Sequence, residues 1–275
     1  MTHPTPPLRS YNALWFLLRA LIPMTVLGLA LLALSGLAAG GGPAEFSTLL
    51  LRISGGLVLS IAVVVMVSVR ARRAAAESGL EFGATRIKSA GRGLLMGAAI
   101  WLVPAGICFT ALTFLGAPLT IDAPLGKVLS VGFLVFMAVL LSEAVPEELV
   151  FRGQLMSVLS EKLQGWWVIV VQAGLFTAFA VMLRGWTGVA DFSLFLGMGI
   201  GLGYMRAVAG SVWTTVGFHA VFQTGSQLVL THEVATFAGS EAAAMIALGA
   251  LPFAFGAIFV ALLAPKRPNL FVSRQ

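Results

Sequence analysis

The chain is poor in charge, cysteine and histidine. Only 10% of its 275 residues are Asp, Glu, Lys or Arg, against roughly 25% in soluble domains. At the same time 59% are hydrophobic and the mean hydropathy is +0.97. So little charge excludes an ordinary soluble domain, and long apolar runs exclude disorder, collagen and a soluble bundle. One cysteine, Cys108, excludes an internal disulfide and any cysteine-based zinc site. No internal repeat is visible, which counts against a transporter built from two related halves. What remains is an all-α, polytopic membrane helical bundle, since each span takes about 20 residues and the chain has room for seven to nine.

Eight apolar windows can be read: Ala13–Ala39, Ile53–Val69, Gly93–Phe114, Val128–Leu155, Trp166–Leu183, Phe192–Val208, Val212–Leu230 and Ala242–Leu263. Glycine, proline and arginine punctuate them, at Gly40 to Pro43, Arg70 to Arg73, Gly116 to Pro124, Arg184-Gly185 and Pro265. The first window is too long for the 7–15-residue apolar region of a signal peptide and reads as a retained helix. Residues 74–92 form the one sizeable polar connection and have the composition of a short interfacial helix. Three segments follow: 1–127, amino-terminal helices and a cytoplasmic connection; 128–230, a core with the polar motifs; and 231–275, a last helix and tail.

Eight spans place both termini on one side. Fourteen of the 17 basic residues then share that side, and only Arg52, Lys127 and Arg184 fall on the other. By the positive-inside rule both termini are expected in the cytoplasm, with the cell (inner) membrane as the location. The basic balance is thereby explained without nucleic acid as a partner. Reporter fusions after Arg73 and after Lys162 are expected to read cytoplasmic, and one near Glu233 the opposite side. A cytoplasmic signal near Glu233 would overturn the eight-span topology.

Polar residues inside the apolar windows are few. Glu143, Glu147 and Glu148 fall within six residues of the fourth window, where one carboxylate costs on the order of 2.5–3.5 kcal/mol. Glu143 and Glu147 are four apart and share a helix face. Glu148 and Arg152 are four apart on the neighbouring face and read as an ion pair. That leaves Glu147 to face the bundle interior, beside a helix disturbed by Pro146. The alternative, acids capping a helix in headgroup water, fits less well because the apolar run continues on both sides. Of three histidines, His3 lies in the tail, His232 in a loop and His219 inside the seventh window, four residues before Gln223. Alone, His219 would read as an interhelical hydrogen bond. Beside an intramembrane glutamate cluster it reads as part of a site.

These residues resemble the motifs of the CAAX-prenyl protease and bacteriocin-processing (CPBP, or Abi) family. Glu147-Glu148-Leu149-Val150-Phe151-Arg152 is similar to its Glu-Glu-x-x-x-Arg motif. His219 to Gln223 is similar to His-x-x-x-Asn, with Gln in place of Asn. Phe195-Leu196-Gly197 through Gly203, then Gly210 to Trp213, resembles its glycine-rich helix and turn. The middle motif, Phe-x-x-x-His, meets Phe176 to Ala180, with Ala180 in the histidine's place. The resemblance implies an intramembrane endopeptidase acting on a membrane-associated peptide or protein. Glu147 would be the general base, His219 and Gln223 the oxyanion side, and Glu148, Arg152 and Glu143 would be supporting groups. Because Ala180 removes an acid–base partner, a non-catalytic member binding a membrane partner is the alternative. One histidine with carboxylates makes no complete zinc site, so the cofactor is left open and no metal is required by the sequence.

Other signals are weaker. His232-Glu233 begins like a zincin helix but Thr236 ends it. Gly197, Gly199, Gly201 and Gly203 suit close helix packing better than phosphate binding. Ser211 and Ser226 sit in no recognisable nucleophile motif. A proton-coupled transporter using Glu143 and Glu147 is the third function class, disfavoured by the missing repeats. Cys108 reads as a small buried apolar residue, and Trp166, Trp167 and Trp186 read as interfacial anchors.

Overall fold

The computed structural model describes residues 13–42, 45–78, 90–121, 123–186, 188–232 and 234–263, with backbone alone for 71–78, 190 and 241. His3, Arg9, Arg72, Arg73, Arg86, Lys88, Glu233, Lys266, Arg267 and Arg274 lie outside the described residues or side chains, as does most of the 74–92 connection. Among the described residues there are eight long helices. They are α1 (Ala13–Ala38), α2 (Phe46–Ser78), α3 (Ala90–Phe114), α4 (Leu125–Leu159), α5 (Trp166–Arg184), α6 (Val189–Ala209), α7 (Val212–Leu230) and α8 (241–263). Seven are long and apolar enough to span a bilayer, α7 being the exception. The chain is an integral, multi-pass membrane protein.

Its surface is inverted relative to a soluble protein. Leu95, Ile107, Val58 and Leu262 are exposed, while Glu148, Arg152, Thr215 and His219 are buried. Lipid-facing side chains are apolar because an unpaired polar group in hydrocarbon costs several kcal/mol. Trp166, Trp167 and Trp186 are exposed at the ends of α5, as anchors are. Cys108 is buried.

Helix α7 falls short in apolarity because it is the central helix. Val212 to Ala220 are all buried among neighbouring helices, so Thr214, Thr215 and His219 never face lipid. Its crossing of the bundle is nevertheless fixed by the connections. Strand β1 (Leu119–Thr120), before α4, pairs antiparallel with β2 (Thr236–Phe237), after α7, with Leu119 opposite Phe237 and Thr120 opposite Thr236. The two connections therefore lie at the same end of the bundle. An even number of crossings must separate them, and α4 to α7 supply four.

Small residues bring α3 against α7. A Cβ on Gly93 would stand 2.7 Å from Trp213 Cβ, one on Gly97 would run into the Thr214 carbonyl, and one on Gly217 into the Leu94 carbonyl. The Gly93-x-x-x-Gly97 stripe thus allows backbone contact beside His219. The anticipated glycine packing of α6 is also present. Gly199 abuts Ala173, Gly203 abuts Gln172 and Ile169, and Gly201 abuts Phe253, but Gly197 has open space around it. Gly97→Leu is expected to lower the thermal midpoint of the purified protein by several degrees, since overpacking costs about 1–3 kcal/mol or more. Gly106→Leu on the same helix, with nothing nearby, should leave the midpoint unchanged. Equal midpoints for the two variants would show that the close approach is not required.

Two spans extend beyond their apolar windows by three or more residues at each end. Helix α2 begins at Phe46 and carries Arg52 inside the bundle, where Glu143 neutralises it at 2.6 Å. The charge that marks a boundary in the sequence is therefore an internal one. Helix α4 covers 35 residues, beyond the roughly 20 needed to span. It widens into π-helical turns at Leu140–Ala144 and Leu149–Leu155, on either side of the paired glutamates. In the first turn Val145 donates to the Leu140 carbonyl, five residues back. Pro146 cannot make the next such bond, to Leu141. Ser60 Oγ on α2 donates to the Leu141 carbonyl instead, at 2.6 Å. Gly56, one turn earlier, lets α2 approach closely enough: a Cβ there would stand 2.6 Å from Ser142 N. A third π-helical turn, Ile246–Ala250 in α8, offers its Leu248 carbonyl to Trp101 Nε1 at 2.9 Å.

Candidate active site

The π-helical turns of α4 set the directions of its acids. Such turns add a residue to the helix and recur at functional sites. Here they aim three successive acids at different neighbours. Glu148 is sealed in the core. Its Oε1 accepts from Arg152 Nη1 at 3.0 Å and lies 2.9 Å from His219 Nδ1. Arg152 Nη2 also donates to the Met198 carbonyl at 3.3 Å, and its guanidinium lies 4.3 Å from the centre of the Phe176 ring. The i, i+4 pair expected between Glu148 and Arg152 is present, and it extends across to α7. With a carboxylate at Nδ1, that nitrogen carries a proton and Nε2 is left as the working nitrogen of His219.

Glu143 anchors a second cluster. Its Oε1 meets Arg52 Nη2 at 2.6 Å and Gln227 Nε2 at 3.4 Å. Its Oε2 accepts from Gln223 Nε2 at 3.3 Å and lies 3.9 Å from Arg184 Nη2. Arg52 Nη1 donates to Gln227 Oε1 at 3.2 Å, closing the ring of contacts. One N–H of the Gln223 amide is thereby held by Glu143, and the other is left for a ligand.

Glu147 behaves differently. Among the described residues it has no hydrogen bond or ion pair, and it lines a cavity of about 50 Å³ together with Ala180, Arg184, His219 and Gln223. Phe176, Phe179, Leu183, Leu194, Phe195, Met198 and Phe222 form the apolar wall. Phe151 packs edge-on to Phe176 and Phe179, with ring centres 5.2 and 5.1 Å apart, and so fixes that wall against α4. A cavity needs on the order of 10–15 Å³ of such volume to hold one water, so a few waters fit here beside Glu147.

The residues expected from sequence thus separate into three adjoining groups. Glu147, His219 and Gln223 share the cavity, and Ala180 faces the same space. Glu148 and Arg152 stand behind His219. Glu143 stands behind Gln223. Arg52, Arg184 and Gln227 join the site without having been singled out. Gln227 had a signal, since His219, Gln223 and Gln227 recur every four residues along one face of α7. The two arginines read only as charges at span ends. His232 lies outside the cavity lining; it is buried in the α7–α8 connection, where burial and the nearby Arg52 pull its imidazole below the usual value. Ser211 is the N-cap of α7, accepting from Trp213 N at 3.3 Å, which accounts for it structurally. Among the described residues no three of His, Cys, Asp and Glu converge as metal ligands, and His219 already gives Nδ1 to Glu148.

The fold and the site together define a multi-pass membrane protein with a carboxylate-bearing, water-sized cavity inside its helical bundle. Residues 129–225, about a third of the chain, match the family described as Type II CAAX prenyl endopeptidase Rce1-like. The resemblance to CAAX-type intramembrane proteases drawn from the motifs therefore stands, over a segment that includes every residue of the site except Arg52 and Gln227. No curated protein and no solved structure matches the chain.

Proposed function

We propose that this protein is a slow intramembrane peptidase that hydrolyses a peptide bond of a membrane-associated substrate. The observation that carries this reading is the one cavity shared by Glu147, His219 and Gln223, in which Glu147 is left unpaired. Glu147 takes a proton from a cavity water as the oxygen attacks the carbonyl carbon. The oxyanion receives N–H donors from the free side of the Gln223 amide and from Nε2 of His219, which donates there as the doubly protonated imidazolium with its Nδ1–H on Glu148. The tetrahedral adduct then collapses, the C–N bond breaks, and the proton held by Glu147 passes to the leaving nitrogen. Glu148 supports the proton on His219, and Glu143 fixes the Gln223 amide. Ala180 leaves the water with one acid–base partner instead of two, and this sets a low rate. Both termini face the cytoplasm, on the basis of the charge distribution.

Binding without cleavage is favoured by one observation, the small Ala180 side chain where the motif resemblance calls for an imidazole. The two functions are separated by incubating the protein in proteoliposomes with membrane-anchored peptides and following products by mass spectrometry. Product is expected from the natural sequence, and Glu147→Gln should remove it entirely. Product formation that survives Glu147→Gln would exclude this carboxylate as the base.

A further inference from the structure

We infer that Arg19 and Arg70 hold the phosphate of an anionic membrane phospholipid, in a headgroup site at the end of the bundle opposite the β1–β2 pair. The site is separate from the cavity of Glu147, whose lining includes neither arginine, and it does not depend on catalysis. Three elements bring it together: Arg19 is on α1, Arg70 on α2, and Glu161 just past the end of α4. Ala20, Val67 and Leu159, each within three residues of one of these side chains, belong to one buried core, which fixes the three backbones relative to each other. Glu161 is committed to one of the two cations. Its Oε2 and Oε1 accept from Arg19 Nη1 and Nη2 at 2.8 and 2.6 Å, a bidentate pair. Arg70 is close enough to Arg19 for the two positive charges to oppose each other. Its Nη1 is buried and has no hydrogen-bond partner among the described residues.

Two guanidiniums and one carboxylate leave a single positive charge. A phosphodiester carries a single negative one, so one such group closes the balance and gives the buried Nη1 an acceptor. The surroundings select a lipid over a free phosphate ion. Arg19 follows six apolar residues of α1, Ala13 to Leu18, and so sits inside the helix end. Trp15 and Ile22, four before it and three after it on the same face, are 51% and 46% exposed. An arginine so placed lays its stem along hydrocarbon and holds its guanidinium at headgroup level. A ligand that reaches it meets charge and an acyl-facing surface together, which suits an amphiphile. Basic pockets between spanning helices bind lipid headgroups by this same combination.

The full chain in a non-ionic detergent can be titrated with dioctanoyl phosphatidylglycerol or dioctanoyl phosphatidylcholine, with bound lipid counted by native mass spectrometry. Phosphatidylglycerol is expected to bind about tenfold more tightly, since a charge-assisted hydrogen bond is at stake and choline adds an opposing cation. Inorganic phosphate at the same concentrations should displace none of it. Arg70→Gln should erase the preference, and Arg70→Lys should keep part of it, retaining the charge without the planar fork. Lys127→Gln, exposed at the other end of the bundle, changes the net charge equally and should leave the preference intact. Equal binding of the two lipids would overturn the site. So would a preference that survives Arg70→Gln, or one that Lys127→Gln weakens as much. Displacement by inorganic phosphate at lipid-like concentrations would overturn the lipid assignment in favour of a free anion. If Arg70→Gln does not fold, Arg19→Gln with Glu161→Gln carries the test, since it leaves neither charge of that pair unpartnered. An undiminished preference in that double variant would equally overturn the site.

Discussion

Ala180→His is expected to raise peptide hydrolysis in membranes by about 10²–10⁴-fold, the usual worth of a positioned acid–base group. Ala180 lines the cavity with Glu147 and His219, so an imidazole at this position enters open space beside the attacking water. Inserting bulk into a packed core ordinarily costs about 1–3 kcal/mol; here part of the ring occupies volume that is already empty. The gain should vanish in the Ala180→His, Glu147→Gln double variant, because the imidazole assists a water that the carboxylate must first activate. Assays of product formation with and without added zinc separate direct carboxylate chemistry from a metal site created by the second imidazole. A folded Ala180→His protein as inert as the natural one, across a broad panel of membrane-bound peptides, would favour binding without cleavage.

Arg152→Ala should be the most damaging single change to folding, at roughly 3–5 kcal/mol, the cost of leaving one member of a buried ion pair uncompensated. Arg152 is buried with Glu148 at 3.0 Å, on the Met198 carbonyl and over the Phe176 ring, so α4, α5 and α6 all lose a contact. Removing both charges, in Glu148→Gln with Arg152→Ala, is expected to recover part of the loss, because a neutral amide can still meet His219 without a buried unpaired charge. The recovered fraction is read from the monomer peak in size exclusion and from the thermal midpoint. A double variant as poor as the sum of the singles would show no coupling between the two charges.

What the sequence made legible and what it did not divide along physical lines. A carboxylate in an apolar run is expensive enough to announce itself, so Glu143, Glu147, Glu148 and His219 stood out and do meet at one place. The eight windows were legible for a similar reason, since lipid imposes apolarity over a fixed length. Even so, α7 qualifies as a span through its connections and central position, not through its hydropathy. Arg52 could not be placed, because a charge near a window's edge looks the same whether it faces headgroups or a glutamate 91 residues away. The π-helical turns of α4 were invisible as well, since one added residue leaves the apolar pattern unbroken. Gly93 and Gly97 carry the same small-residue spacing as the glycines of α6, and Gly217 lies against Leu94 from the α7 side. Only the structure shows that they, more than Gly197, set how closely the His219 helix is approached.

The bond from Ser60 to the Leu141 carbonyl bears on how this protein enters its membrane. Helices leave the synthesis machinery in chain order, so α2 is in the bilayer before α4 emerges. Helix α4 arrives with two features that hydrocarbon does not tolerate, a carbonyl that Pro146 leaves without its donor and the Glu143 carboxylate. Helix α2 already carries the answer to both, Ser60 and Arg52, two turns apart. The earlier helix thus presents a partner for each feature of the later one, at the π-helical turn that carries Glu143. Exchanging the birth order of these two segments, by circular permutation, would oblige α4 to enter lipid unaccompanied.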